Sequence, residues 1–446
     1  MLQKSLVFIF ILAIVSQVAA QDKRNIEVIN KAIEHNKNLD FELLAKMFDT
    51  VGGKRPVNPF ILHMVWSQAR ELYGGYKTSV TKQVYQRKGN EYILQELEFD
   101  SGYITIKFIF NNRNKIAGYF LSDLISKKDR LLEEKYRAPA YANTKQVDSK
   151  PVTFGNEPFI IQGELTLPKL TKKGALLPAV VLVHGSGPGD RDEKNGPQRP
   201  FADIAYGLSS RGIAVLRYDK RRLTYADDCT EDSLFTVNEE TVDDAVLAAA
   251  FLRTQPGIDP KKIIVLGHSL GGMMIPRIAT ADTLLAGCVF MAAPAKSLPD
   301  KIIEQMDYLT TVEPAKEDEY RRLKEDFVRL KTKWYNSSTK PAYLPFGIGP
   351  VYWEDLHYYN QTEVVKQVKM PVLFLQGARD YQVTTEDFNL WKKTLENNPK
   401  AQFILYNDLN HNMITGTGKA IPDEYKIPGN VPLKVIEDIE RWVKGL

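Results

Sequence analysis

The sequence predicts an α/β protein: a mostly parallel sheet covered by helices and carrying a helical insertion, preceded by a smaller α+β domain. Three observations predict it. From residue 151 onward, short runs that are apolar throughout, such as "AVVLVHG" and "KIIVLGHS", alternate with helix-period stretches such as "TVDDAVLAAAFLRTQ". That is the texture of strands buried on both faces by crossover helices. Before residue 130 the order differs, with helical segments first and alternating strands after them. A chain of 446 residues also has room for two domains of ordinary size.

The elements follow in order. Lys4, the apolar stretch Leu6 to Val15, and small residues at Val18 and Ala20 read as a signal peptide over residues 1–20, which makes the protein secreted or periplasmic. The apolar core is shorter than the ~20 residues a spanning helix needs, so no stable membrane insertion is expected after cleavage. No cysteine follows the cleavage site to carry a lipid. Residues 21–130 form the first domain. Ile26, Ile29 and Ile33 start a helical period that "FELLAKMF" and "FILHMVWSQARELY" continue. "EYILQELEFDSGYITIKFIFNNRNKIAGYFL" then alternates across turn signals at 100–102 and 111–114, an antiparallel meander. His35, His63 and Trp66 are the polar or aromatic candidates for a pocket there, weighed against a reading as core or surface residues, which is preferred. Residues 131–150, charged and then proline-containing, read as a linker.

The second domain spans 151–446. "FIIQGELTLP", "AVVLVHG", "IAVLRYD", "KIIVLGHS", "AGCVFMAAP", "MPVLFLQGARD" and "AQFILYND" are its strands, with helices between them. Residues 297–368 interrupt the alternation with a charged helical stretch and an aromatic, proline-containing loop. An insertion at the carboxyl edge of a parallel sheet lies over the ligand crevice, so it is expected to be a lid.

Composition narrows the partners. A net charge of +4 is small for this length, and no basic block is interleaved with aromatics, so nucleic acid is not a partner. Two cysteines, Cys229 and Cys288, cannot make a thiolate metal site, and nothing in their setting requires them to pair.

Gly267-His268-Ser269-Leu270-Gly271 fits G-x-S-x-G between a strand and a helix, the setting in which a serine Oγ is presented at the top of a sheet. A serine hydroxyl needs a base, and the base needs an orienting acid. Asp380 follows the strand "VLFLQG" and His411 follows the last strand, so the chain order is Ser, Asp, His. Asp408 is the competing acid, but three positions before His411 on one loop it is poorly placed for the ring's far nitrogen. His268 and His357 are read as packing residues. The loop "HGSGPGDRD" spaces its glycines G-x-G-x-G and puts Asp190 where a dinucleotide fingerprint needs the third glycine, which excludes pyrophosphate. It suits an oxyanion loop, with the backbone N–H groups of Ser186 and Leu270 as donors.

On "GHSLGG", "HGSGPGDRD", "RYDKR", "QGARD" and the terminal His411, residues 151–446 resemble an α/β-hydrolase of the dienelactone hydrolase and serine aminopeptidase-like group. The resemblance implies the α/β-hydrolase fold and cofactor-free cleavage of a carboxylic ester through an acyl-enzyme. The substrate is then a small-molecule ester or a short acyl or aminoacyl compound. A serine peptidase, amidase or thioesterase on the same triad is the alternative, and a non-catalytic binding protein a more distant one. Where relatives continue "RYDKRG" into small residues, this chain has "RYDKRRLTY", so the cleft wall from Arg222 to Tyr225 is expected to differ. Residues 24–125, ending in "NKIAGYF", resemble the NTF2-like domain of unknown function that precedes some secreted hydrolases; no catalytic role is expected of it.

Overall fold

The computed structural model describes residues 24–50, 57–87, 89–169 and 174–446. Residues 1–20, read from the sequence as a signal peptide, lie outside them. The chain divides into two compact units, Met1–Glu134 and Lys135–Leu446.

In the first unit, helices over 24–38, Phe41–Ala45 and Pro59–Tyr73 precede a four-stranded antiparallel meander, β1 (Tyr76–Arg87), β2 (Asn90–Phe99), β3 (Gly102–Phe110) and β4 (Ile116–Ser126). Alternation in "GYITIKFIF" buries every second side chain of β3, including Ile104, Ile106 and Phe108. The helices close that face with Ile29, Ile33, Leu44 and Trp66.

The second unit is built on an eight-stranded sheet: β5 (Val147–Asn156), β6 (Phe159–Pro168), β7 (Leu177–Val183), β8 (Ala214–Tyr218), β9 (Ile258–His268), β10 (Gly287–Met291), β11 (Val372–Gly377) and β12 (Ala401–Tyr406). Their order is β12-β11-β10-β9-β7-β8-β6-β5. The six strands from β12 to β8 run parallel, and β6 and β5 pair antiparallel at one edge. Strands β8, β10 and β11 are buried along their whole length, which is why they read as unbroken apolar runs. One core lies on each face of the sheet, centred on Val181, Val265 and Met273 on one side and on Leu182, Leu266 and Ile436 on the other.

One boundary differs from the sequence reading. Residues 147–150, read as linker, are the first part of β5, and Tyr136 and Tyr141 bond to Asp203 and the Val431 carbonyl. The "VDSKP" segment is a polar edge strand, exposed from Asp148 to Pro151, and contains a proline, so it lacks the apolar run that marks the central strands.

Between β10 and β11 the insertion holds helices Leu298–Val312, Glu317–Lys331 and Pro350–Tyr358. It is tied to the helix Leu270–Ala281 by the Arg277–Asp355 ion pair (2.7 Å) and by the Tyr359 hydroxyl, which donates to the Met273 carbonyl (2.8 Å). No helix among the described residues is long and apolar enough to cross a membrane.

Candidate active site

β9 ends at His268 and the next helix starts at Leu270, so Ser269 alone makes the corner. It does so at φ 52° and ψ −120°, a conformation that costs a side-chain-bearing residue on the order of 1–3 kcal/mol. Two hydrogen bonds hold it: its N–H donates to the Met291 carbonyl (3.0 Å), and its carbonyl accepts from Met273 N–H (2.9 Å). The neighbouring glycines are required by contact. A Cβ on Gly267 would stand 2.4 Å from the Gly271 carbonyl carbon, and one on Gly271 would stand 2.3 Å from the Val183 oxygen. Only bare backbone lets strand and helix approach this closely.

His411 lies beyond β12 and Asp380 beyond β11, and the fold brings them together. His411 Nδ1 is 2.7 Å from Asp380 Oδ2. The other carboxylate oxygen accepts from the backbone N–H groups of Gln382 (2.8 Å) and Val383 (3.0 Å). Gln376 Nε2 also reaches Oδ2, at 3.3 Å. Asp380 is 2 % exposed and His411 4 %, so this pair is shielded from water. Because the carboxylate only accepts, the proton of a neutral His411 ring sits on Nδ1 and leaves Nε2 as an acceptor. Ser269 and His411 line the same hollow, about 230 Å³ in volume, together with Gly185, Ser186, Gln382 and Asn412.

The loop after β7 faces Ser269. A Cβ on Gly185 would lie 3.1 Å from Ser269 Cβ, so the glycine sets the closeness of approach. Gly185 N–H is occupied by Glu193 Oε1 (2.6 Å), and its carbonyl accepts from Lys220 Nζ (2.8 Å). Ser186 is the next residue of this anchored loop and lines the hollow. Leu270 opens its helix, so its N–H has no acceptor within that helix. The loop's charges turn inward to structure. Arg191 forks onto Asp219, with its Nη2 2.6 Å from Oδ2; Asp192 pairs with Arg217; and Asp190 Oδ1 accepts from the N–H groups of Asp192 (3.1 Å) and Lys194 (3.0 Å).

Two buried networks beneath the site were not foreseen from the sequence. In the first, His268 Nδ1 lies 2.9 Å from Glu193 Oε1 and its Nε2 lies 2.9 Å from the His411 carbonyl oxygen. Both neighbours are oxygens that only accept, so the surroundings favour the protonated form of the His268 ring. Burial opposes each charge, but the pair outweighs it: Glu193 is held below the ordinary carboxylate range and His268 above the ordinary histidine value. In the second, Lys220 pairs with Glu240 (2.9 Å), whose other oxygen accepts from the Tyr352 hydroxyl (2.6 Å), linking the loop to the insertion. Neither network leaves a periodic or motif signal. Glu193 has a backbone φ of 51°, and nothing in "DRDEK" announces that. His184, against Phe201 and Tyr218, is pushed down to about 4 by burial, with Lys220 also disfavouring its charge.

The remaining candidates lie elsewhere. Asp408 pairs with Lys434 (2.5 Å). His357 lines a separate hollow with Tyr335 and Trp353. Trp66 is packed in the first unit against Phe99 and Tyr76, and His63 Nε2 meets Ser67 Oγ at 3.1 Å. Cys229 and Cys288 are buried free thiols.

This fold and corner carry a family assignment. Residues 180–415 match the model of the alpha/beta hydrolase family, and the chain belongs to that family; it is a hydrolase. Among characterised proteins it is similar to Esterase EstD of Thermotoga maritima, with 35% identity over 347 residues, 78% of this chain and 78% of that protein. Among solved structures it is similar to an acylaminoacyl peptidase of Pyrococcus horikoshii (14% identity, TM-score 0.46), covering 82% of this chain and 56% of that one. The chain thus spans little more than half the length of that peptidase. It is also similar to Est1E of Butyrivibrio proteoclasticus (15% identity, TM-score 0.44), covering 66% of this chain and 98% of that one.

Proposed function

We propose that the protein is a serine-dependent carboxylic ester hydrolase, with Ser269 as nucleophile, His411 as general base and acid, and Asp380 as the residue that orients and stabilises the His411 ring. The observation that carries this reading is the strained Ser269 corner opening on the hollow that also receives His411, whose Nδ1 is held 2.7 Å from the buried Asp380 carboxylate. The choice of ester over other acyl substrates is supported by the similarity to Esterase EstD.

In this mechanism His411 Nε2 takes the Ser269 hydroxyl proton as Oγ attacks the ester carbonyl. The charge that develops on the carbonyl oxygen is met by the backbone N–H groups of Ser186 and Leu270; loss of one such donor typically costs roughly 3 kcal/mol in the barrier. His411 then gives its proton to the leaving alcohol, and the Ser269 acyl ester forms. Water, deprotonated by the same nitrogen, attacks the acyl ester, and the proton returns to Ser269 as the acid leaves. Asp380 stays ionised throughout and stabilises the imidazolium that forms twice per cycle.

The test is direct. Purified protein is expected to hydrolyse short p-nitrophenyl esters and to be labelled by a fluorophosphonate on Ser269. Labelling of Ser269→Ala as fast as wild type would overturn the nucleophile assignment. Higher kcat/KM on aminoacyl anilides than on matched esters would replace the esterase reading with a peptidase one.

A further inference from the structure

Beside the hollow that holds Ser269 lies a second one, about 280 Å³, near the roughly 300 Å³ at which small-ligand pockets begin. The two share Ser186 and Pro188 as lining, so they meet at the loop facing the nucleophile. The rest of the second wall is mostly apolar and comes largely from the insertion: Leu298, Ile302, Phe346, Ile348 and Trp353, with Tyr352, whose hydroxyl is taken up by Glu240. A single charged residue interrupts it, Arg222.

Arg222 differs from the arginines around it. Arg217 pairs with Glu164 and Asp192, Arg221 pairs with Asp244, and Arg277 pairs with Asp355. Among the described residues no carboxylate, carbonyl or aromatic face is within bonding distance of the Arg222 guanidinium. Glu240 feels its charge, but that carboxylate is already bound to Lys220 and Tyr352. The helix Arg221–Thr224 that carries it is anchored through Arg221 to Asp244, so its neighbour is presented to the hollow from a held backbone. Arg222 is partly exposed, so its guanidinium can take a ligand from solution, and its fixed fork of donors matches a carboxylate.

We propose that this second hollow is a specificity pocket for an ester arm with an apolar body and a terminal carboxylate, which Arg222 binds. The proposal rests on the serine-esterase reading above. The apolar wall removes the methylenes from water, and Arg222 receives the anionic end. An arm with a neutral end leaves the guanidinium unpaired, so the discrimination comes from the mismatch as much as from the contact.

The experiment compares matched esters on the full chain. Mono-p-nitrophenyl adipate against p-nitrophenyl hexanoate tests the acyl arm, and 3-butyryloxybenzoate against phenyl butyrate tests the alcohol arm. Wild type is expected to prefer the carboxylate member of one pair by about tenfold or more in kcat/KM, mainly through KM. In Arg222→Met that ratio is expected to fall to near one, and in Arg222→Lys to lie between. Fluorophosphonate labelling of Ser269 in each variant reports that the site is folded. Equal use of both members in both pairs, or a ratio unchanged in Arg222→Met, overturns the pocket while leaving the esterase reading intact. No turnover of any ester and no labelling of Ser269 overturns the esterase reading, and the pocket with it.

Discussion

Glu193 Oε1 accepts from the Gly185 N–H at 2.6 Å and lies 2.9 Å from His268 Nδ1, and the other nitrogen of that ring is 2.9 Å from the His411 carbonyl oxygen. Removing one member of such a buried pair leaves the other charge uncompensated, so Glu193→Gln is expected to lose about 3 kcal/mol of stability at pH 6, measured by urea unfolding. The pH window follows from the directions of the shifts. Glu193 is lowered on folding, so its contribution is present above the ordinary carboxylate pKa and lost as pH falls through its folded value. His268 is raised, so its contribution is present below the ordinary histidine pKa and lost as pH rises through its folded value. The stability difference between wild type and Glu193→Gln should therefore peak between roughly pH 4.5 and 6.5 and shrink on either side. A difference flat from pH 4 to 9 would show that the pair carries no charge. At Asp380 the expectation concerns rate rather than stability. Asp380→Asn keeps the size of the side chain but imposes the wrong tautomer on His411, and kcat should drop by about 10⁴. Ser269, Asp380 and His411 were legible because a strand-turn-helix corner and two strand ends mark them. Glu193, Lys220 and Glu240 were not, since an inward-turned charge on a loop resembles any solvated one until its partner is known.

At the scale of elements, the β9–helix corner is where sequence and geometry agree most closely. Gly267, Ser269 and Gly271 are needed because the helix start lies against both its own strand and β7. Gly271→Ala would press a methyl group toward the Val183 oxygen, which the parallel ladder between β7 and β9 holds in place. It is expected to destabilise the second unit by about 3 kcal/mol or more and to lower the rate of fluorophosphonate labelling. Gly212, with φ 88° and nothing within 4 Å of an added Cβ, is the control: Gly212→Ala should cost only the strain of its backbone, about 1–2 kcal/mol, and leave labelling at the wild-type rate. The edge strand β5 shows the opposite relation between sequence and element. Its residues pair fully with β6, yet its exposed polar face and Pro151 made its start read as linker.

For the whole molecule, the two units have separate cores. One holds residues from Ile29 to Ile116, and the cores on the two faces of the large sheet are built from Tyr141 onward. Every residue of the candidate site belongs to Lys135–Leu446. A fragment of residues 135–446 is therefore expected to fold cooperatively and to retain labelling of Ser269, followed by circular dichroism and fluorophosphonate reaction. A folded fragment without labelling would show that the first unit helps to build the site.

What the sequence determined by itself was whatever repeats along the chain. Apolar runs alternating with helical periods specify a parallel sheet, and a strand-to-helix corner needs its glycines at fixed offsets from the serine. The tertiary structure alone decided which charges meet. Lys220, Glu240 and Tyr352 converge from separate segments, Glu193 finds His268 across the corner, and Arg222 faces the insertion without a partner. Local patterns follow from backbone periods of a few residues, whereas a charge pair depends on the distance between atoms that the chain brings together only when the sheet is complete.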